Sequence, residues 1–209
     1  MNIMQLKINW LGLAGGVITL VVVAVSLFYP WWRLEVGEGL VTANVSPLNT
    51  NFNLLGTGFS MPLLWAVNLV SVLSLLLSGI IMVIYSLFPL KSYSKTLLCF
   101  AYKKPLYTVV FFVVFLFVSA FIVQVFLHFD VPLSGSTKSV FPIPFFQGTN
   151  VSVLISAGFQ WAFWLATVAA GLCIAARIYH KRVVSVQKQD ATVVAAVPTE
   201  PSETAEPAA

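Results

Sequence analysis

The chain has 209 residues, 59% of them hydrophobic and only 9% charged, with 11 Lys and Arg against 7 Asp and Glu for a formal charge of +4. Soluble domains carry about 25% charged residues, so this composition excludes an ordinary soluble globular domain. It also argues against a nucleic-acid binder, because no basic groove interleaved with exposed aromatics is expected.

Four apolar runs, at 10–28, 63–88, 106–127 and 153–178, reach the roughly 20 helical residues that cross a bilayer. The expected fold class is an all-α membrane protein. It is a four-transmembrane-helix bundle with its backbone polar groups satisfied inside the helices, and with a small extracytoplasmic cap that contains a β-hairpin. On this reading 1–9 is a cytoplasmic N-terminus, 10–182 the transmembrane domain with outer loops 29–62 and 128–152, and 183–209 a disordered cytoplasmic tail.

Lys7 precedes the first run, and Ala24-Val25-Ser26 has the small-x-small form of a signal-peptide cleavage site. The run is long for a signal peptide and continues through Leu27-Phe28, so it is read as a span. Gly12 and Gly16 form a GxxxG pair continued by Thr19 and Ser26, a face on which another helix can approach closely. Packing within the chain is the simpler use of that face, and homodimerisation the sharper one.

Pro30 ends the first helix, since proline lacks the N–H a helix needs to continue. Trp32, Leu34 and Val36 then alternate with polar residues, as do Val41, Ala43 and Val45, around Gly37-Glu38-Gly39. That is the pattern of a hairpin with a glycine-rich turn. Asn44-Val45-Ser46 is an N-glycosylation sequon within it. Residues 47–58, rich in asparagine and glycine, read as an irregular return. The second span carries Asn68, Ser71, Ser74 and Ser78 on one broad face; packing is favoured over a polar pathway, with about 0.6 kcal/mol expected per interhelical hydrogen bond.

Segment 91–105 holds Lys91, Lys95, Lys103 and Lys104 and no acidic residue. Cationic loops translocate poorly, so it is expected as an inner loop with a short interfacial helix near 97–102. The third span is dominated by Val and Phe, with Ser119 and Gln124 as polar exceptions, and reads as the most lipid-exposed helix. In the second outer loop, Phe141, Ile143 and Phe145 alternate with prolines that restrict the segment to an edge strand or extended strap. Asn150-Val151-Ser152 is a second sequon, close to the membrane, so Asn44 is the better glycosylation candidate of the two. The fourth span repeats Ala162, Ala166, Ala169, Cys173 and Ala176 at steps of four and three residues, a heptad seam of small side chains. Residues 187–209 are too poor in large apolar side chains to fold.

Orientation follows from the basic residues. Lys7, Lys91, Lys95, Lys103, Lys104, Arg177, Lys181, Arg182 and Lys188 fall on one side of the spans, and Arg33 and Lys138 on the other. The positive-inside rule then expects both termini in the cytoplasm of a multi-pass cell-membrane protein. Trp31, Trp32, Trp65, Trp161 and Trp164 cluster toward the outer ends, and Tyr85, Tyr93, Tyr102, Tyr107 and Tyr179 toward the inner, as interfacial belts do. Neither cysteine, Cys99 or Cys173, lies in an outer loop, so no outward disulfide framework is expected.

With segment 91–105 outside the bilayer, no Asp, Glu, Lys or Arg falls in the central part of any expected span. That argues against ion-coupled transport and voltage sensing. No span has the paired Gly or Pro interruptions of a midplane substrate site, and no metal, haem, phosphate-loop or hydrolase motif occurs. No catalytic residue, metal or cofactor is expected. His128 and Asp130 form the single candidate for an outer proton or ligand site; two groups at a wet interface is the plainer reading.

Pro30-Trp31-Trp32-Arg33-Leu34 after the first span, within a four-helix chain whose outer loop forms a β-cap, is similar in topology to the claudin-type tetraspan proteins. The further tryptophan and paired outer cysteines of that pattern are absent here, and the likeness is one of topology. The function expected is non-catalytic: a tetraspan structural or accessory subunit embedded in the lipid bilayer. It would pack against a partner membrane protein, or form a homo-oligomer, through its small-residue seams. A quinone- or lipid-handling component of a membrane oxidoreductase working near His128 and Asp130 is the alternative. An oligomeric pore lined by Asn68, Ser71 and Ser78 ranks third.

Overall fold

The structure is a computed structural model that describes residues 8–59, 61–89, 93–127, 130–142 and 150–196, and for 127, 140–142, 150, 151 and 183–196 the backbone alone. Lys7, Lys91, His128, Ile143, Phe145 and residues 197–209 lie outside the described residues. The described chain is mostly helical, with four helices and one small antiparallel sheet. Helix α1 is Trp10–Ser26, α2 Pro62–Leu87, α3 Ser94–Leu127 and α4 Trp161–Ala196. Helices α2, α3 and α4 each contain a stretch long and apolar enough to cross a membrane, whereas α1, at 17 residues, is shorter.

All strands sit at one end of the helices. Strands β1 (Trp32–Val36), β2 (Val41–Val45), β3 (Asn51–Leu54) and β4 (Thr57–Phe59) connect α1 to α2, and β5 (Gly135–Pro142) and β6 (Asn150–Phe159) connect α3 to α4. They form one antiparallel sheet in the order β4-β3-β2-β1-β6-β5. Strand β1 is its centre, with Leu34 opposite Ala43 on one side and Ala157 on the other. Successive residues of a strand face opposite sides. Trp32, Ala43 and Val45 are buried on the side toward the helices, and Arg33, Glu35, Thr42 and Asn44 occupy the other.

Several expected boundaries change. The expected hairpin at β1–β2 is present, but 47–58, expected as an irregular return, contains a second hairpin, and both belong to one six-stranded sheet. Residues 153–159, expected as the start of the fourth span, belong to β6. Their inner positions, Ile155, Ala157 and Phe159, pair with Val36, Leu34 and Trp32. A short apolar run fits a buried strand as well as a helix. Helix α4 continues to Ala196 through part of the expected disordered tail, with no proline before Pro198.

The largest change concerns 91–105. Helix α3 begins at Ser94 and runs through Pro105, so most of the expected loop is helix and Lys103 and Lys104 lie inside it. Proline cannot donate to the carbonyl four residues earlier. Here that carbonyl, Ala101 O, accepts instead from Ser78 Oγ of α2 at 2.7 Å. A hydroxyl on a neighbouring helix thus replaces the bond that proline removes, one of the ways in which helices in apolar surroundings accommodate proline.

Candidate functional site

Small residues bring α1, α2 and α4 together. A Cβ added at Gly16 would lie 2.9 Å from Val83 Cγ2 and 3.1 Å from Gly79 O, and one at Gly15 3.1 Å from Cys173 Sγ. Ala162, Ala166, Ala169 and Cys173 are all buried, as are Gly12 and Gly16. Both seams therefore face other helices of the same chain and are filled there.

At the end of the bundle away from the sheet, Asn9 caps α1 by accepting from Gly12 N at 3.1 Å. Its Nδ2 donates to Tyr85 Oη at 3.0 Å and to Ala176 O at 3.3 Å. One buried amide thus joins α1, α2 and α4. Its position just before an apolar run is an N-cap signature that the sequence reading passed over.

At the sheet end, residues 46–50 close over the last carbonyls of α1, which have no partner within their own helix. Ser46 Oγ lies 3.5 Å from Ser26 O and donates at 2.9 Å to Asn49 O, while Asn49 Nδ2 donates to Leu27 O at 2.8 Å. Asn68 of α2, its amide oriented to satisfy both neighbours, donates to Pro47 O at 3.2 Å and accepts from Thr50 N at 3.0 Å. Trp31, 1% exposed, donates to Ser26 Oγ at 2.7 Å, with its ring centroid 5.2 Å from Phe112 and 6.1 Å from Phe163. The sequon residue Ser46 is therefore a buried structural group, and Asn44 sits half-buried between Arg33 and Asn51 on neighbouring strands. Asn150 lies in β6, opposite Pro142.

Where α3 meets α2 the packing opens. A cleft of about 400 Å³ runs between them beneath the 46–50 loop. Leu64, Val67, Phe111, Phe112 and Phe115 give it apolar walls, and Asn68, Ser71, Ser74 and Thr108 a polar stripe. Lys104 and Tyr107 complete it. That size, and a mainly apolar lining with a few polar groups, is typical of small-molecule sites. Lys104 stands at mid-height of the bundle: its neighbour Pro105 faces a small void whose other walls include Thr19 and Val22 of α1 and Leu75 of α2. The expectation that no charged residue lies deep among the helices does not hold for α3, because it rested on a loop that is helix.

The sequence candidate His128 lies outside the described residues, and Asp130 is exposed and accepts from Gln124 Nε2 at 3.1 Å. Among the described residues, no three His, Cys, Asp or Glu side chains come together as metal ligands would. Arg177 lies over the Tyr102 ring at 4.1 Å, with Nη1 4.0 Å from Cys99 Sγ, tying α4 to α3 in the basic half of the bundle.

Beyond Phe112, at the level of Trp31 and the start of α4, residues 113–127 add about 22 Å of helix at 1.5 Å per residue. Leu116 is buried, and Ser119, Ala120 and Val123 turn toward the sheet across a further cavity of about 170 Å³. The opposite face is bare: Phe117, Phe121 and Phe126 are 58%, 65% and 76% exposed, beside exposed Val118 and Ile122. Compared with models of known protein families and with curated proteins, the chain matches none.

Proposed function

We propose that this chain is a four-helix integral membrane protein with the sheet as an extracytoplasmic cap and both termini in the cytoplasm. Its work is that of a non-catalytic accessory subunit that packs against a partner membrane protein. The orientation is supported by Lys95, Lys103, Lys104, Arg177, Lys181 and Arg182 on helices α3 and α4, against Arg33 and Lys138 on the sheet. Helix α1, at about 26 Å, sits at the short limit for a span and runs between α2 and α4, which are longer.

The observation that carries the partner reading is the bare face of α3 past Phe112. The seams of Gly12, Gly16, Ala162, Ala166, Ala169 and Cys173 are occupied within the chain, so a partner needs another surface. Exposed aromatic and β-branched residues along several turns, beyond the ends of the other helices, supply one. A pore lined by Asn68, Ser71 and Ser78 has weaker support, because Asn68 and Ser78 spend their hydrogen bonds on neighbouring backbone.

The test combines purification from native membranes in mild detergent, with mass determination, and a photo-crosslinker at position 121. The expected result is one membrane protein in stoichiometric amount, recovered both by co-purification and by the cross-link. A species with the mass of a single chain, cross-linked only to lipid, overturns the accessory-subunit reading.

A further inference from the structure

Lys104 is half-buried at mid-height of the helices, where a charge is costly and ordinarily paired. It stands about 15 Å along α3 from Ser94, whose hydroxyl bonds the Phe88 carbonyl just past the end of α2. That is further than a lysine stem reaches by snorkelling toward the basic end. The described carboxylates do not serve it: Glu35, Glu38 and Asp130 belong to the sheet end, and Asp190 lies far along α4 toward its C-terminus. The Phe100 ring, one turn nearer the basic end, lies 5.3 Å from Nζ. The cleft that Lys104 lines contains no acidic side chain. On its α2 wall the half-buried Ser71 and Ser74 hydroxyls have no hydrogen-bond partner among the described residues.

Lys104 also continues the face of α3 assigned above to a partner. Lys104, Tyr107, Phe111, Phe115, Val118 and Ile122 follow one another at steps of three and four residues and so share one side of the helix, and all but Lys104 are exposed. We propose that the partner contributes a transmembrane helix that lies along this side of α3, and that one Asp or Glu of that helix enters the α2–α3 cleft and pairs with the Lys104 ammonium. The pairing rests on the accessory-subunit reading and adds the partner's chemistry to it. A ridge of side chains on one helix fits the groove between two others, and a cleft of about 400 Å³ admits side chains rather than a whole helix. A buried ion pair holds when further hydrogen bonds satisfy the carboxylate's remaining lone pairs, and Ser71 and Ser74 offer their hydroxyls for this. A helix crosses the bilayer in full, so it can present a carboxylate at mid-height, a depth at which lipid headgroups do not reside.

The test uses the full-length chain in phosphatidylcholine vesicles with synthetic polyleucine transmembrane helices that carry one central Glu, Lys or Leu, association being read by energy transfer between labels. Wild type is expected to bind the Glu helix about tenfold more tightly than the Leu helix. Lys104→Met should erase that preference and Lys104→Glu should transfer it to the Lys helix, while Lys181→Gln, a basic residue outside the cleft, leaves it intact. Equal binding of the Glu and Leu helices by wild type overturns the pairing, and so does a preference that survives Lys104→Met. In native membranes the photo-crosslinker at position 121 separates the two readings. There Lys104→Met should lower the yield of the co-purified membrane protein about tenfold. Full recovery of that protein, with its cross-link to position 121 intact, overturns the pairing and leaves the accessory-subunit reading standing. A wild-type chain cross-linked only to lipid overturns the accessory-subunit reading and the pairing with it.

Discussion

The two sides of the bundle are built on opposite principles. Where α1 meets α2 and α4, glycines and alanines let backbones approach until an added Cβ at Gly16 would press on Val83 N at 3.0 Å. Where α3 meets α2, phenylalanines hold the helices apart over a cleft of about 400 Å³. In lipid there is little hydrophobic drive between helices, so close packing and hydrogen bonds decide which of them associate. The small-residue side has taken up its packing surface, and the aromatic side keeps surface to spare. In this chain the seam of small residues is where the helices close on one another, and the exposed aromatic face of α3 is the surface they leave uncovered.

The largest effect is expected at the joint between the two sides. Trp31 touches Phe112 of α3 and Phe163 of α4 and bonds Ser26 of α1. Trp31→Ala should cost about 3–5 kcal/mol, the range for buried aromatic truncations, read as a fall in the denaturant midpoint in detergent. A loss below 1 kcal/mol would mean that the two sides are stabilised separately.

The contrast between the sides is sharpened by placing a leucine on each. Gly16→Leu must displace Val83 or the backbone at Gly79 and should destabilise by about 1–3 kcal/mol, as overpacking does. Ser74→Leu points its added carbons into the cleft and should stay within about 0.5 kcal/mol of wild type. Thermal unfolding of the pair decides the matter; equal losses would mean that the α2–α3 side is as tightly packed as the other.

The parts legible in the sequence were those with a strong local signal. Pro30 stops α1, the alternation from Trp32 to Val45 is a hairpin, and the heptad of alanines marks the packed face of α4. The second hairpin was hidden because its two-residue turn is Leu55-Gly56, with φ of 51° and 83°. Two positive φ values in such a turn usually announce themselves as Asn-Gly or Asp-Gly, and leucine gives no such cue. Strand β6 was hidden because Leu154 lies between Val153 and Ile155, which makes the run read as continuously apolar. The cleft could not be read at all, since it depends on Lys104 belonging to a helix. That assignment turned on Pro105, whose usual meaning, a helix boundary, is cancelled by a hydroxyl on another helix.

That cancellation gives the prediction most specific to this chain. Ser78 and Ala101 are both buried, and Ser78 Oγ supplies the bond that Pro105 cannot. Ser78→Ala leaves a buried carbonyl without its donor and should cost about 1–2 kcal/mol, within the range for an unsatisfied buried group. Pro105→Ala restores an N–H four residues after Ala101, so the helix can satisfy that carbonyl itself. In the Pro105→Ala background, Ser78→Ala should then be nearly neutral, and the double-mutant cycle should return most of the single-mutant loss as an interaction energy. Additive losses in that cycle would show that Ser78 acts by filling space between α2 and α3 rather than by repairing the helix. Lys103 and Lys104 would then owe their place in α3 to something other than this bond.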